Sequence, residues 1–211
     1  MKNTELIQKY FPEAESEKLA LIEKLWEGYV EWNEKVNLVS RSDLENLYER
    51  HILHSLSLAL FFKFKPMTEI MDLGTGGGFP GLPLAIWFPE SNFTLVDSIG
   101  KKIKVVEDLA ERLNLKNVKA INARAENVEG PFDFVITRAV APAEELVRWS
   151  KGKFVKHFAH ELRNGLLMWK GGDLEEELKV VGKLGPKSFF LKDYLQEPFF
   201  ETKRIVHIPM N

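Results

Sequence analysis

The chain contains no cysteine. Disulfides, a cysteine nucleophile and cysteine-ligated zinc or iron–sulfur centres are therefore excluded. No apolar run approaches the roughly 18 residues of a membrane-spanning helix, and no membrane association is expected. The opening Lys2-Asn3-Thr4-Glu5 lacks the apolar stretch of a secretory signal, so a cytoplasmic protein is expected. The net charge is only −2, which gives no global attraction for nucleic acid and leaves a local basic face as the route to it. No internal repeat or low-complexity tract is evident. His51 and His54, and likewise His157 and His160, stand three residues apart, but neither pair has a His-Glu-x-x-His context or an accompanying carboxylate set. Structural or surface histidines are the expectation, and no metal.

The 211 residues are 45% hydrophobic and 28% charged, enough for a packed core in one main domain with an appendage. Residues 1–65 read as a helical extension. Ala20, Leu21, Leu25, Tyr29 and Trp32 recur at helical spacing, and Trp26, Tyr29 and Trp32 suit packing of helix on sheet. A second helix is expected from about Asp43 to Phe64, capped by Ser42 or Asp43 and ended before Pro66.

Residues 66–211 alternate strands and helices. Strands are expected at Glu69–Leu73, Phe93–Asp97, Val118–Asn122, Phe132–Thr137 and Gly165–Trp169, with helices at Pro80–Phe88, Lys101–Leu113, Pro142–Trp149 and Leu174–Gly182. The tail breaks this rhythm. Lys187–Tyr194 and Glu201–Ile208 are strand-like, with only Leu195-Gln196-Glu197-Pro198 between them. The fold class is α/β and Rossmann-like, a mostly parallel sheet ending in an antiparallel hairpin. That ending is more typical of a methyltransferase than of a dehydrogenase.

The first strand runs into Asp72-Leu73-Gly74-Thr75-Gly76-Gly77-Gly78-Phe79-Pro80-Gly81. Gly74, Gly76 and Gly78 remove side chains where a cofactor passes close to backbone, and Pro80 suits a helix start. Residues 76–81 fit the Gly-x-Gly-x-x-Gly spacing after a strand. This spacing serves NAD and S-adenosylmethionine alike. Asp97 ends the next strand, where a carboxylate accepts hydrogen bonds from both ribose hydroxyls or caps the following helix. Asp72 either lies near a sulfonium or methionine amine, or orders the turn. A dinucleotide would bring pyrophosphate here, and a carboxylate would repel it, which favours a cofactor without phosphates.

Ala123-Arg124-Ala125-Glu126 follows the third strand, on the adenine side of such a pocket. Arg138 and Lys170 close the fourth and fifth strands, whose carboxyl ends face the crevice. Arg138 suits a carboxylate, a phosphate or Glu126. Lys151, Lys153 and Lys156 form a second basic run near the rim.

These motifs in this order resemble the bacterial small-subunit ribosomal RNA methyltransferases once called glucose-inhibited division protein B. The likeness spans nearly the whole chain, through Trp32–Leu38, Glu49–Ser55, Asp72–Gly81, Thr94–Ser98, Gly100–Lys102, Arg124–Glu126, Arg138-Ala139 and Trp169–Gly171. It implies a class I S-adenosylmethionine-dependent fold and methylation of N7 of a guanine in the 530 loop of 16S ribosomal RNA. The RNA would be met free or within a small-subunit precursor, by a monomer. The implied cofactor contacts are Gly74, Phe79, Asp97, Ala125, Glu126 and Arg138, beside Asp72, Gly76 and Gly78 from the turn. Candidate RNA contacts are Arg41, Arg50, Lys101, Lys102, Arg138 and Lys170. His54 departs from the family, which commonly carries aspartate there, and Asn33 and Asn37 match its Asn-x-x-x-Asn stretch. N7 has a lone pair and no proton to lose, so in-line transfer needs no general base and no residue is assigned as acid or base. An RNA-binding or ribosome-assembly protein without turnover is one alternative, and an NAD-dependent oxidoreductase the other.

Overall fold

The computed structural model describes residues 4–36, 38, 41–157 and 159–210, with the side chains of Arg41 and Ser42 outside that description. Helices α1 (Thr4–Tyr10), α2 (Ser16–Lys35) and α3 (Arg41–Glu45) lead into a run of tight turns. In place of one helix from Asp43 to Phe64 there is a π-helical turn (Tyr48–Leu53), a single α-turn α4 (His54–Leu56) and a 3-10 turn (Ser57–Leu60). The apolar spacing was legible, but the run must bend to bury Ile52, Leu53, Leu56 and Leu58 together. A π turn at such a place often marks a functional position.

The rest is the alternating unit: β1 (Glu69–Leu73), α5 (Gly81–Trp87), β2 (Asn92–Asp97), α6 (Gly100–Arg112), β3 (Val118–Asn122), β4 (Phe134–Arg138), α7 (Ala143–Ser150), β5 (Gly165–Gly171), α8 (Glu175–Val180), β6 (Lys187–Phe190) and β7 (Lys203–Pro209). The sheet order is β3-β2-β1-β4-β5-β7-β6. The five strands β1 to β5 are parallel, and β7 runs antiparallel between β5 and β6. β1 and β4 are buried on both faces, as parallel strands covered twice are. The chain turns outward from β1 to β2 and β3, then returns on the other side as β4. The gap beyond the carboxyl ends of β1 and β4 is therefore the switch point at which open α/β sheets hold ligands.

Two apolar layers flank the sheet. Ile22, Leu25 and Tyr29 of α2 share one core with Leu84, Phe93, Leu95, Val106 and Leu109, so the helical extension is packed into the sheet's own core. Leu146, Leu174, Val206 and Ile208 belong to the other. Between β6 and β7 two 3-10 turns replace the expected plain loop, anchored by buried Leu191 and Phe200. Glu197 there accepts from Lys9 Nζ at 2.8 Å and Tyr10 Oη at 2.7 Å, joining the two ends of the chain.

Candidate cofactor and substrate cleft

A cleft of about 530 Å³ opens at this switch point. That volume lies in the ~300–1,000 Å³ range of small-molecule sites. Its floor is the turn after β1, its sides the ends of β2 and β4, and its far wall the loop after β3.

Asp72 organises the turn from beneath. It is fully buried, and its Oδ2 accepts from Thr75 Oγ1 at 2.6 Å and from the Gly81 amide at 2.9 Å. Burial raises its carboxyl to about 7, against those hydrogen bonds and the Arg138 charge, which pull it down. A Cβ on Gly81 would sit 2.6 Å from Asp72 Oδ2 and 2.8 Å from Leu95 Cγ, so only glycine permits this approach. From the helical side, Tyr29 Oη donates to the Gly77 carbonyl at 2.7 Å. Gly76 has φ +59°, and a Cβ there would meet nothing within 4 Å. Its bare backbone faces open space in the cleft.

Asp97 ends β2. Its Oδ2 accepts from the Gly76 amide at 2.9 Å and its Oδ1 from the Ile99 amide at 2.9 Å. It thus fixes both the glycine turn and the entry to α6. Each carboxylate oxygen keeps a free lone pair, which suits the two hydroxyls of a ribose.

Arg138 ends β4. Its Nη2 donates to His51 Nδ1 at 2.9 Å, and its Nη1 reaches the carbonyls of Arg50 and His51 at 3.4 and 3.5 Å. Its guanidinium lies 4.9 Å from the centre of the Phe79 ring, which stacks on Tyr29 at 4.5 Å. Burial lowers Arg138 to about 10, leaving it cationic at neutral pH. His51 is held neutral, pushed down to about 3 by burial and then by Arg138. The next residue, Ala139, has φ +56°, and the reversal there carries Val140 over Gly74.

After β3, Ala125–Asn127 form a 3-10 turn, and Ala123, Arg124, Ala125 and Glu126 line the cleft. Lys153 is buried and not a rim charge, correcting its place in the expected basic run. Its Nζ donates to the carbonyls of Glu126, at 3.1 Å, and of Val128. Burial lowers its pKa against the pull of Glu126 and Glu129.

Of the expected cofactor contacts, Gly74, Gly76, Phe79, Asp97, Ala125, Glu126 and Arg138 line this cleft. Asp72 and Gly78 do not. Asp72 is walled off below the turn, and Gly78 faces Leu82 of α5. Asp72 therefore takes the second role read for it, ordering the turn. With a carboxyl near 7 it is also a weak source of the repulsion invoked against pyrophosphate.

Of the expected RNA contacts, Lys102 lines the cleft, while Lys101 is exposed beside it. Arg50 pairs with Asp43 at 3.2 Å and packs against the Phe199 ring. Lys170 is corrected: its ammonium pairs with Glu177 at 2.7 Å and donates to the Ala141 carbonyl at 2.7 Å, which binds β5 to α7 and α8. The Arg41 side chain and Asn37 lie outside the described residues. Asn33 Oδ1 accepts from the Leu38 amide at 3.0 Å, ordering the exit of α2. His54 is buried edge-on to Phe199 and Phe200, and its carbonyl accepts from Trp169 Nε1 at 2.7 Å. Among the described residues no cluster of three or more metal-ligating side chains is present. The residue missed in the sequence is His51, read there as structural or surface, which lines the cleft and holds Arg138.

The donor set suits S-adenosylmethionine: a carboxylate for the ribose, an unobstructed glycine backbone beneath the chain, and a guanidinium for an amino-acid carboxylate.

The profile of the family described as GidB, rRNA small subunit methyltransferase G, matches residues 18–185. A relative from Christiangramia forsetii, named ribosomal RNA small subunit methyltransferase G, is 52% identical over 98% of this chain and 97% of its own. One of the same name from Bacteroides thetaiotaomicron is 47% identical over 96% and 98%. Among solved structures, a SAM-dependent methyltransferase from Aquifex aeolicus superposes with a TM-score of 0.56 at 14% identity, covering 82% of this chain and all of that one. Aeropyrum pernix fibrillarin with bound S-adenosylmethionine gives 0.52 at 16% identity, covering 75% and 74%. These two likenesses are of fold, and the fold is that of class I methyltransferases. The sequence matches go further: the chain belongs to the GidB, or rRNA small subunit methyltransferase G, family.

Proposed function

We propose that the chain methylates N7 of a guanine in the 530 loop of 16S ribosomal RNA, using S-adenosylmethionine held in this cleft. The carrying observation is the cleft itself. It joins Asp97, the open Gly76 backbone and the Arg138 cation at one switch point, within a chain of this family. When bound, the cofactor supplies an electrophilic methyl group on a sulfonium.

Asp97 accepts from the ribose hydroxyls. The turn after β3, fixed by Lys153, meets the adenine edge. Arg138 would hold the methionine carboxylate at the β4 end of the cleft. Phe79 and Val140 form apolar walls there and exclude water. The nucleophile is a ring lone pair, so alignment and electrostatics do the catalysis and no side chain has to remove a proton. Lys102 and Arg124 line the cleft and are offered to RNA phosphates. The family assignment sets aside the oxidoreductase reading. We further propose action as a monomer, in the cytoplasm, on the small subunit or its precursor.

The test is transfer of labelled methyl to free 16S RNA, to assembled small subunits and to assembly intermediates, with the modified base mapped. Label at a guanine N7 in the 530 loop is expected. Cofactor binding without transfer to any of the three would support the silent RNA-binding role instead.

A further inference from the structure

His51 has a chemistry that holding Arg138 does not exhaust. An arginine always donates, so the 2.9 Å contact makes His51 Nδ1 the acceptor. A neutral imidazole with an accepting Nδ1 must carry its proton on Nε2. Nε2 lies across the ring from Arg138, and no hydrogen bond to it is formed among the described residues. The ring tilts against Phe79 at 5.0 Å and lines the cleft at the β4 end. A cofactor held with its adenine beyond β3 and its ribose at Asp97 would leave its methyl-bearing end toward β4. The cleft thus has a fixed, uncharged N–H donor at its β4 end.

The Hoogsteen edge of guanine presents two acceptors, N7 and O6, whereas adenine presents N7 beside the N6 amino donor. N7 must stay free to attack, so recognition along this edge falls to O6. A forked guanidinium would engage N7 as well and occupy the attacking lone pair. A single N–H donor engages O6 alone. Being neutral, it also adds no repulsion as positive charge develops on the methylated base.

Resting on the function proposed above, we infer that His51 is the specificity residue of this site: its Nε2–H donates to O6 of the target guanine. An adenine in the same place would set the N6 amino group against this N–H, donor against donor.

The experiment uses the full chain and small subunits reconstituted with 16S RNA carrying guanosine or 2-aminopurine ribonucleoside at the target position. The latter keeps N7 and lacks O6. His51→Asn keeps an acceptor near the Nδ1 position for Arg138 but has no arm at Nε2. The reading is the ratio of kcat/KM between the two RNAs, in which differences of intrinsic N7 reactivity cancel between enzymes. Wild type is expected to favour guanosine, and His51→Asn to lose roughly 10- to 100-fold on guanosine while the ratio collapses toward its intrinsic value. Cofactor affinity, measured by calorimetry, should stay within about threefold, since the Arg138 contact survives. His51→Gln, whose amide reaches the Nε2 position, should recover most of the preference.

An unchanged ratio in His51→Asn overturns the inference and leaves N7 methylation standing. A loss of cofactor affinity that accounts for the whole rate loss, with the ratio intact, overturns it too and makes His51 a positioning residue for Arg138. Absence of guanine N7 methylation by wild type on its guanosine substrate would remove the proposed function and this inference with it.

Discussion

Replacing Asp72 by asparagine should change how stability depends on pH. Asp72 is fully buried, and its carboxyl is raised to about 7 from 3.8. The folded chain therefore keeps a proton that the unfolded chain has released. Stability from this group is greatest below the unfolded value and is lost as pH rises through the folded one. Integrated from pH 5 to pH 8, the shift is worth about 3 kcal/mol, as an order of magnitude. Asparagine is uncharged throughout, and its carbonyl oxygen replaces the Oδ2 that accepts from Thr75 and Gly81. Its amide nitrogen then stands where Oδ1 is buried without a partner, a constant cost of about 1–3 kcal/mol. His51, His54, His160 and His207 are all lowered, so their contribution runs the other way, lost as pH falls below the ordinary histidine value. They are common to both proteins and cancel in the difference. Calorimetry at pH 5, 6, 7 and 8 should show Asp72→Asn gaining about 3 kcal/mol on wild type across the series, or about 6–12 °C in Tm. Parallel stability curves would refute the idea that Asp72 is a proton-binding strut rather than a permanent charge.

Gly81→Ala drives a methyl group against Asp72 and Leu95 and should cost about 1–3 kcal/mol in denaturant unfolding; an unmoved midpoint would contradict the close approach. Gly76→Ala meets no atom, so its stability cost is only the left-handed strain of about 1–2 kcal/mol. Its methyl group enters the cleft, and calorimetric titration should show S-adenosylmethionine binding at least about tenfold weaker, a loss of about 1.4 kcal/mol. Equal affinity would mean that the cofactor does not cross this backbone. Lys153→Met removes the donor to the Glu126 and Val128 carbonyls. Amide exchange over residues 124–128 should quicken and cofactor affinity fall about fivefold, on the order of 1 kcal/mol for a lost anchoring bond. Unchanged exchange would show that the loop holds without it.

The parallel strands, the glycine turn and the closing hairpin were legible because each leaves a local mark. β1 and β4 are short apolar runs, the turn is rich in glycine, and the tail shows two strand-like runs without a helical run between them. Asp97 was legible for the same reason, standing at the end of a strand at a fixed remove from the turn. The bend through Tyr48–Leu53 was not legible, since a π turn and an α-helix share their apolar spacing. The fates of Lys153 and Lys170 were hidden for another reason. A lysine at a strand end reads as a surface cation until the carbonyls and the Glu177 carboxylate that meet it are brought there by distant segments. His51 was hidden likewise, because its role depends on Arg138, 87 residues away in sequence.

The two cations that close β4 and β5 show how the fold separates structure from function. Lys170 is neutralised by Glu177 at 2.7 Å, and its charge is spent within the protein. Arg138 is met differently. Its partners are a neutral imidazole, two carbonyls and the face of an aromatic ring, and among the described residues no carboxylate forms an ion pair with it. Those contacts fix its direction and leave its charge uncancelled. A half-buried charge without a counter-ion is costly to keep. The cost is offset when a ligand brings the missing anion, and the cleft that Arg138 lines is where that ligand enters. The groups that hold it there, His51 and the Arg50 carbonyl, come from the segment before β1, and Tyr29 of α2 braces both the glycine turn and Phe79. The helical extension is therefore part of the site's construction, and the sheet alone would present Arg138 with neither its acceptor nor its aromatic support in place.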